Sequence, residues 1–400
     1  MIRRLLIICF AIVPCVLFAA DWPTFRGPGG NAVVDSDLPI EWNDTKNLAW
    51  KAELPGRGPS SPIVVGDRLF VTCSSGPKQD RLHVVAFDTN NGKKLWQRQF
   101  WATGRTYSHP SMGVAAPTPA SDGQRIFAFY SSNDLICLDL DGNLLWYRGL
   151  THDYPKAGND VGMASSPVVA NDTVVVQIEN QGDSFAAGID TSTGETRWRI
   201  ARDDRANWSS PTILPGNGQR KDVVLLQSPG GISAHNIKTG DEVWKYEEQF
   251  GTIPSPLVVG NRAYLPTGGI TAVEFSDDSY APEIKWQSGK LSAGSSSPVF
   301  HDGRVYTLSR GILSCGDEAT GDLLWKLRLS GQHWATPVIA GNIYCVNQDG
   351  EVHVVKPGDK GGEIIAQNKF DETIQATPAV ADGAVYFRSD AHLWKIAASD

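Results

Sequence analysis

The sequence predicts an all-β fold, an eight-bladed β-propeller of four-stranded antiparallel blades. A Ser-Pro or Thr-Pro step, an apolar triplet and a turn recur eight times at spacings of 39 to 57 residues, which is the length of one blade. Apolar runs of four to six residues alternate with turn signals, and none is long or periodic enough for a helix. The repeated prolines are Pro62, Pro119, Pro167, Pro211, Pro256, Pro298, Pro337 and Pro378.

Residues 1–20 are predicted to be a secretory signal peptide. Arg3 and Arg4 precede a short apolar run that ends abruptly before polar Asp21, which is the pattern of a segment cleaved near Ala20. Cys15 lacks the small preceding residues of a lipoprotein signal. We therefore predict a periplasmic or secreted protein whose remaining residues, 21–400, form one propeller domain.

The two ends of the chain predict how the ring closes. Residues 47–54 have the pattern of a fourth strand with no blade before them, and the last unit has three strands and ends after Trp394. The N-terminal strand should complete the C-terminal blade, because this pairing leaves no long exposed edge.

Residues 62–97 predict the strands of one blade. The first three strands are predicted at 62–65, 69–73 and 82–88, and the fourth within KKLWQ. Asp88 and Gly92 are suited to the corner between the last two strands, since Asp caps turn amides and Gly accepts positive φ. Tryptophans on fourth strands are expected to cover the apolar layer between blades; they are Trp50, Trp96, Trp146, Trp198, Trp244, Trp286 and Trp325.

Charge and cysteine content exclude several classes of protein. The chain has 36 Lys and Arg against 44 Asp and Glu, and loss of Arg3 and Arg4 leaves a net charge of −10, which disfavours nucleic acid and anionic membranes as partners. The remaining cysteines, Cys73, Cys137, Cys315 and Cys345, fall in different blades. We expect buried thiols rather than disulfides.

The repeated corner resembles that of a known superfamily. The segments DTNNGKKLW, DTSTGETRW and DEATGDLLW resemble the repeat of pyrroloquinoline-quinone (PQQ) propellers, over essentially all of the chain beyond residue 20. That superfamily contains quinoprotein dehydrogenases, a lipoprotein of outer-membrane β-barrel assembly and exported propellers of unknown role. The opening DWPTFRGPGG is similar to the last group.

The resemblance implies candidate residues for a quinone and calcium site. Glu179 is placed like the superfamily's calcium-binding glutamate, Trp208 like its floor tryptophan and Arg310 like its quinone-contacting base; Trp334 and Arg388 complete the candidate cofactor set. The chain also departs from the dehydrogenase pattern. It has no adjacent cysteine pair, QSPGG stands where an Asn ligand is expected, and QFGTIPSP offers no basic Asp.

Each candidate has a structural alternative. Glu179 can instead satisfy backbone amides, Trp208 and Trp334 can be packing residues, and Arg310 and Arg388 can pair with loop carboxylates. The repeated corner aspartates, Asp88, Asp139, Asp190 and Asp317, are expected to cap turns.

Two long connections break the repeat. Residues 99–115 and 149–164 exceed the other loops and carry polar and aromatic side chains, namely Tyr107, His109, His152, Tyr154, Asn159 and Asp160. Long loops on a rigid scaffold often bind ligands, or they can simply plug the funnel.

Two functions from different classes follow. The first is a non-catalytic, monomeric scaffold that binds a protein, peptide or small ligand at the funnel rim. The alternative is a PQQ-dependent oxidoreductase of the alcohol or sugar dehydrogenase type, with calcium and PQQ as cofactors. The incomplete calcium site favours the scaffold, because hydride removal needs an electrophile and a base. A hydrolase is disfavoured, since no Ser-His-Asp constellation is recognisable.

Overall fold

The structure is a computed structural model that describes residues 21–157 and 161–398. The predicted signal segment, residues 1–20, lies outside the described residues, as do Asn159 and Asp160 of the second long loop. Among the described residues, no helix has the length and apolar composition needed to cross a membrane.

Eight four-stranded antiparallel sheets form a ring, which confirms the predicted propeller. A first strand, β1 (Leu48–Glu53), precedes the first complete blade. Blades 1 and 2 are β2 (Ile63–Val65), β3 (Arg68–Ser75), β4 (Arg81–Asp88), β5 (Lys94–Trp101), and β6 (Ala120–Ser121), β7 (Arg125–Phe129), β8 (Asp134–Asp139), β9 (Leu144–Gly149). Blades 3 and 4 are β10 (Val168–Ala170), β11 (Thr173–Ile178), β12 (Phe185–Asp190), β13 (Thr196–Ala201), and β14 (Thr212–Leu214), β15 (Val223–Ser228), β16 (Gly231–Asn236), β17 (Glu242–Tyr246).

The second half of the ring repeats this arrangement. Blades 5 and 6 are β18 (Leu257–Val259), β19 (Arg262–Leu265), β20 (Ile270–Glu274), β21 (Glu283–Ser288), and β22 (Val299–His301), β23 (Arg304–Ser309), β24 (Ile312–Asp317), β25 (Leu323–Arg328). Blades 7 and 8 are β26 (Val338–Ala340), β27 (Asn342–Val346), β28 (Glu351–Pro357), β29 (Gly362–Lys369), and β30 (Ala379–Ala381), β31 (Ala384–Arg388), β32 (His392–Ala397).

Burial along the strands follows from their place in the blade. The second and third strands are buried on both faces, as in β4, where six consecutive residues are buried, because each blade packs between two neighbours. The fourth strands lie at the outer edge and alternate, as in β25, where Trp325 is buried between exposed Leu324 and Lys326. This alternation is typical of strands with one solvated face.

Strand β1 closes the ring as predicted. It pairs antiparallel with β32, with Ala52 opposite Leu393 and Lys51 opposite Trp394. The sheet order β1-β32-β31-β30 makes it the fourth strand of blade 8. The free edge of the last blade is thereby covered.

The repeated corner and tryptophan join neighbouring blades directly. Trp50 Nε1 donates to the carbonyl of Thr89 at 2.9 Å, in the corner of the next blade. A Cβ added to Gly92 of that corner would lie 2.6 Å from the Trp50 ring, so only glycine fits there. Trp96, Trp146, Trp198, Trp286 and Trp325 donate to the following corner in the same way at 2.7–2.9 Å. Six of the seven predicted fourth-strand tryptophans therefore bond directly to the next blade, and the seventh, Trp244, packs against Tyr246 and Phe275.

Two smaller predictions are also confirmed. Cys73, Cys137, Cys315 and Cys345 are buried free thiols. The corner aspartates cap their turns: Asp190 Oδ1, for example, accepts the N–H of Ser192 and Thr193 at 2.8 and 3.0 Å. Asp88, Asp139 and Asp317 make equivalent bonds.

The structure differs from the sequence prediction at two places. β5 extends to Trp101, beyond the predicted KKLWQ segment. A one-turn helix, α1 (Leu150–Asp153), follows β9 with only Leu150 buried. A four-residue helix is too short to form by propensity, so its conformation depends on tertiary packing.

Candidate functional site

The central channel is lined by the eight first strands. At one end, here called the loop face, lie the loops from fourth to first strands and from second to third strands. One Ser or Thr per blade, directly before the repeated proline, surrounds the channel near this face; the eight are Ser61, Thr118, Ser166, Ser210, Ser255, Ser297, Thr336 and Thr377.

These residues form a chain of seven hydrogen bonds that runs from blade 1 to blade 8. The N–H of Ser61 donates to Thr118 Oγ1 at 2.9 Å, and the N–H of Thr118 donates to Ser166 Oγ at 3.0 Å. Five further steps, through Ser210, Ser255, Ser297, Thr336 and Thr377, have N···O distances of 2.9–3.1 Å. The Ser or Thr before the repeated proline thus accepts a backbone N–H of the preceding blade. The sequence predicts the repeat, but it does not indicate this hydrogen bond.

The N-terminal segment 22–34, here called the plug, fills the other end of the channel. Its backbone bonds to β2 through Trp22 and Val64 at 2.9 Å, to β6 through Ser121, and to β26 through Ile339. A Cβ on Gly27, whose φ is 68°, would lie 2.5 Å from the Trp22 ring. Asn31 of the plug also bonds to the backbone of Phe300 in β22 at 2.8 and 2.9 Å. Contacts with β6 and β22, first strands on opposite sides of the ring, place the plug inside the channel.

Trp208 and Trp334 both line the channel mouth at the loop face, with Phe25 of the plug beneath them. Trp208 Nε1 donates to the Gly162 carbonyl at 2.8 Å, and Trp334 Nε1 donates to Gln348 Oε1 at 3.1 Å. The cavity between them has a volume of about 110 Å³, whereas drug-sized ligands occupy pockets of about 300–1,000 Å³. The mouth as formed does not fit a tricyclic quinone.

Glu179 follows β11 and is fully buried beneath the loop face, between blades 3 and 4. Its Oε1 accepts Arg202 Nε at 2.7 Å and Gln177 Nε2 at 2.8 Å, and Ser228 Oγ lies within 2.8 Å of both carboxylate oxygens. The side chain of Arg202 is 11% exposed. Glu179 therefore forms a buried ion pair with a cation that the protein itself supplies, rather than capping backbone amides with its side chain.

This donor set does not fit a calcium ion. Calcium takes six to eight oxygen ligands, and the oxygens of Glu179 already accept hydrogen bonds from three donors, one of them a guanidinium. Among residues 21–157 and 161–398, no group of three His, Cys, Asp or Glu side chains could hold a metal ion. The predicted metal role of Glu179 remains a prediction that these contacts do not favour.

Arg310 lies apart from the two tryptophans. It is exposed in the turn between β23 and β24 and lines a cavity of about 560 Å³ over blade 6, together with Lys290 and Lys326. Among residues 21–157 and 161–398, no Asp or Glu lines this cavity, and Ser295 lines both it and the channel mouth. The structure thus brings Trp208 and Trp334 together and places Arg310 in an adjacent basic cavity.

Arg388 lies inside the ring closure instead of on the rim. It is 1% exposed, and its Nη1 donates to the Ser60 carbonyl at 2.7 Å and to Ser60 Oγ. Burial lowers the pKa of this guanidinium. Because Ser60 precedes β2 and Arg388 ends β31, these bonds join blade 8 to blade 1. The partners of Arg388 in these bonds are a carbonyl and a hydroxyl, whereas the structural alternative had expected a loop carboxylate.

The two long loops meet on the loop face. The N–H of His109 in the first long loop donates to the carbonyl of Val161 in the second at 2.9 Å. The second loop is joined in turn to Trp208, whose Nε1 donates to the Gly162 carbonyl and whose N–H donates to the Thr252 carbonyl at 2.8 Å. Large apolar side chains stay exposed along this connected path: Tyr107 is 55% exposed, Val161 38% and Ile253 36%. We call these three residues the loop-face apolar patch.

Buried histidines make the fold sensitive to acid. Burial, with a smaller effect of His353, lowers the pKa of His333 to about 4, and burial also lowers the pKa of His83, His235 and His353. As the pH falls, these histidines take up protons in the unfolded chain before they do so in the folded protein. The free energy of unfolding should therefore fall as the pH drops from 6.5 to about 4. For His333 this is about 3 kcal/mol.

We therefore expect His333→Gln to lose less stability than the wild type between pH 7.5 and pH 4.5, measured by urea unfolding at both values. Exposed His109→Gln serves as the matched control and should keep the full acid sensitivity. An equal pH dependence in all three proteins would contradict the assignment.

Sequence reasoning missed two arginines that matter here. Arg202 meets Glu179 across 23 residues, and no local pattern pairs them. Arg26 lies in the plug and is 2% exposed. The one sequence signal for it is its position within DWPTFRGPGG, and the resemblance of that segment to other exported propellers assigns Arg26 no role.

Comparison with known proteins places the chain among related propellers. A family model described as Outer membrane protein assembly factor BamB (PQQ_2) matches residues 22–202, 84–258, 181–281 and 278–359. The chain is 26% identical to a protein of that name from Burkholderia pseudomallei, over 83% of this chain and 84% of the relative. It is 23% identical to a polyvinylalcohol dehydrogenase from Pseudomonas sp, over 83% of this chain but only 55% of that enzyme.

Solved structures show the same fold. BamB from Moraxella catarrhalis superposes with a TM-score of 0.64 at 18% identity, over 87% of this chain and 96% of that one. A europium-containing methanol dehydrogenase superposes with a TM-score of 0.69 at 14% identity, over 92% of this chain and 89% of that one. At such identities the likeness concerns the fold alone.

Proposed function

The chain belongs to the family described as Outer membrane protein assembly factor BamB, and on this premise we propose that it is an exported, non-catalytic scaffold that binds a partner protein on its loop face. The observation that carries the proposal is the exposed loop-face apolar patch of Tyr107, Val161 and Ile253. Exposed aromatic and aliphatic side chains grouped on one face are typical of protein interaction sites.

The surroundings of the patch suggest the chemistry of the partner. Ile253 lines the channel mouth, which adjoins through Ser295 the basic cavity of Lys290, Arg310 and Lys326. A partner segment that crosses the mouth would place apolar side chains on the patch and a carboxylate beside Arg310. The acidic surface elsewhere would repel an acidic partner from other faces.

Location is part of the same proposal. The predicted signal segment directs export, and relatives named as outer membrane protein assembly factors support a place in the periplasm or outside the cell. The scaffold acts as a monomer whose rigid ring presents the loops.

Photo-crosslinking in the producing organism tests this proposal. A photoreactive residue at position 107 is expected to give an adduct with one defined polypeptide, because Tyr107 is the most exposed side chain of the loop-face apolar patch. Arg310→Ala should reduce that adduct. Position 144 is the matched control, since Leu144 is 51% exposed on the outer strand β9. Equal adduct patterns at 107 and 144 would contradict the proposal.

A quinone-dependent oxidoreductase is the second candidate. Trp208 and Trp334 at one channel mouth favour it, as does similarity to proteins named as dehydrogenases. The Glu179–Arg202 pair and the small mouth weigh against it, since neither leaves room for the ion or the quinone without rearrangement. We therefore derive no reaction step for this candidate.

A further inference from the structure

The plug carries a buried arginine that is only partly bonded. Arg26 is 2% exposed, and its Nη2 donates to the Pro256 carbonyl at 2.8 Å. Its Nε and Nη1 have no hydrogen-bond partner within the part of the chain that the structure describes, and its guanidinium lies 5.3 Å from the Phe25 ring centroid. Buried charged groups are normally paired with an opposite charge or fully hydrogen-bonded, so a bound ligand could supply the hydrogen-bond acceptor that this arginine lacks.

The arginine retains its charge. Burial lowers its pKa to about 9. A pKa near 9 still leaves the guanidinium protonated at neutral pH. Its backbone also has a φ of 65°, a left-handed conformation that is uncommon outside glycine and is often found at functional sites.

A cavity lies beside this group, inside the channel. It has a volume of about 520 Å³ and is bounded by the plug on one side and by first strands of blades 3, 4 and 5 on the other. Arg26 is its one charged lining residue among the described part of the chain, whereas Val168, Ile213 and Val258 provide apolar wall. Thr24 also lines it, and its buried hydroxyl has no partner.

These features define a ligand class. The unpaired Nη1 of the guanidinium and the Thr24 hydroxyl at one end suit a carboxylate, since hydrogen bonds from a charged donor to a carboxylate are short and strong. A single cation suits a single negative charge, and the valine and isoleucine wall suits a hydrocarbon body. We propose that this channel cavity binds a small organic monocarboxylate with an apolar body, its carboxylate held by Arg26 and Thr24.

The site is independent of the loop face. Phe25 lines both the channel mouth and this cavity, but the residues of the proposed partner contact, Tyr107, Val161, Ile253 and Arg310, do not line the cavity. Loss of the ligand site would therefore leave partner binding at Tyr107 intact, and failure of one proposal does not entail failure of the other.

Calorimetric titration with octanoate tests the proposal, with octanamide as the neutral probe of equal shape and sodium phosphate as the inorganic anion. Wild-type protein is expected to bind octanoate and to ignore octanamide. Arg26→Met should weaken octanoate binding about ten- to one-hundred-fold, the range for losing hydrogen bonds to a charged group. Arg81→Met, which removes an exposed arginine at the start of β4, is the matched control and should bind like wild type.

Arg26→Met is expected to remain folded, because removing an unpaired buried charge seldom destabilises a protein. If that variant unfolds, Ile213→Phe provides the second arm: it fills the apolar end, keeps Arg26, and should also abolish octanoate binding. The proposal is overturned if octanoate fails to bind the wild type, binds Arg26→Met equally well, or is matched by octanamide or phosphate.

Discussion

A chain that begins at residue 55 is expected to aggregate or to unfold far below the melting temperature of a chain that begins at Asp21. The deletion removes β1, which pairs with β32, and three buried tryptophans: Trp22, Trp42 and Trp50 are 0%, 7% and 8% exposed. Removing one buried tryptophan side chain costs about 3–5 kcal/mol, and whole domains are stable by only about 5–15 kcal/mol. The sum of the three losses therefore reaches the total stability.

The edge of the ring adds a second effect. Without β1, the outer edge of β32 is left unpaired, while its other edge still pairs with β31. That edge can template association with other chains. Size-exclusion chromatography and thermal unfolding measure both outcomes, with the chain from Asp21 as the reference. Trp50→Ala, which keeps β1 but removes its contact with Tyr386 and its bond to Thr89, should give an intermediate loss. A truncated chain that stays monomeric and melts unchanged would refute the closure.

Arg202→Met is expected to destabilise the protein by about 3–5 kcal/mol, because it leaves the fully buried Glu179 carboxylate without its counter-charge. The substitution also removes the bonds from Arg202 to Ser233 and to the Leu226 carbonyl. Urea unfolding at neutral pH measures the change. Lys46→Met, which breaks an exposed pair with Glu41, is the control and should leave the midpoint unchanged.

The double variant Glu179→Gln with Arg202→Met should recover part of the loss, since no unpaired buried charge then remains. The same proteins test the calcium site. Calcium with PQQ is expected to leave the melting temperature of the wild type unchanged, because Arg202 already neutralises Glu179. A calcium-dependent rise that Glu179→Gln abolishes would instead restore the oxidoreductase candidate.

The sequence by itself determined the repeat, the eight blades and the closing strand. Each depends on short-range chemistry: alternating apolar residues make strands, and Asp and Gly at fixed offsets, as at Asp190 and Gly194, make the corners. The sequence predicts that the fourth-strand tryptophans cover the layer between blades. It does not predict their hydrogen bonds to the next corner, because the accepting carbonyl lies about 40 residues further along the chain. The buried thiols also followed from spacing alone.

The candidate site was predicted only in part. Trp208 and Trp334 do line one cavity, but Arg310 lies in the next cavity and Arg388 lies inside the ring closure. The position of a residue within its blade repeat predicts whether its side chain lies at the loop face or at the opposite end of the channel. It does not give its radial position, which depends on loop lengths that vary between blades.

Only the tertiary structure decided how the buried charges are balanced. Arg202 reaches Glu179 because β11 and β13 flank β12 in one sheet, and Arg26 reaches the Pro256 carbonyl across 230 residues because the plug enters the channel. Strand and turn patterns are local and can be read from neighbouring residues. The balance of a buried charge depends on which distant groups the closed ring brings within hydrogen-bond distance, and no local pattern encodes that.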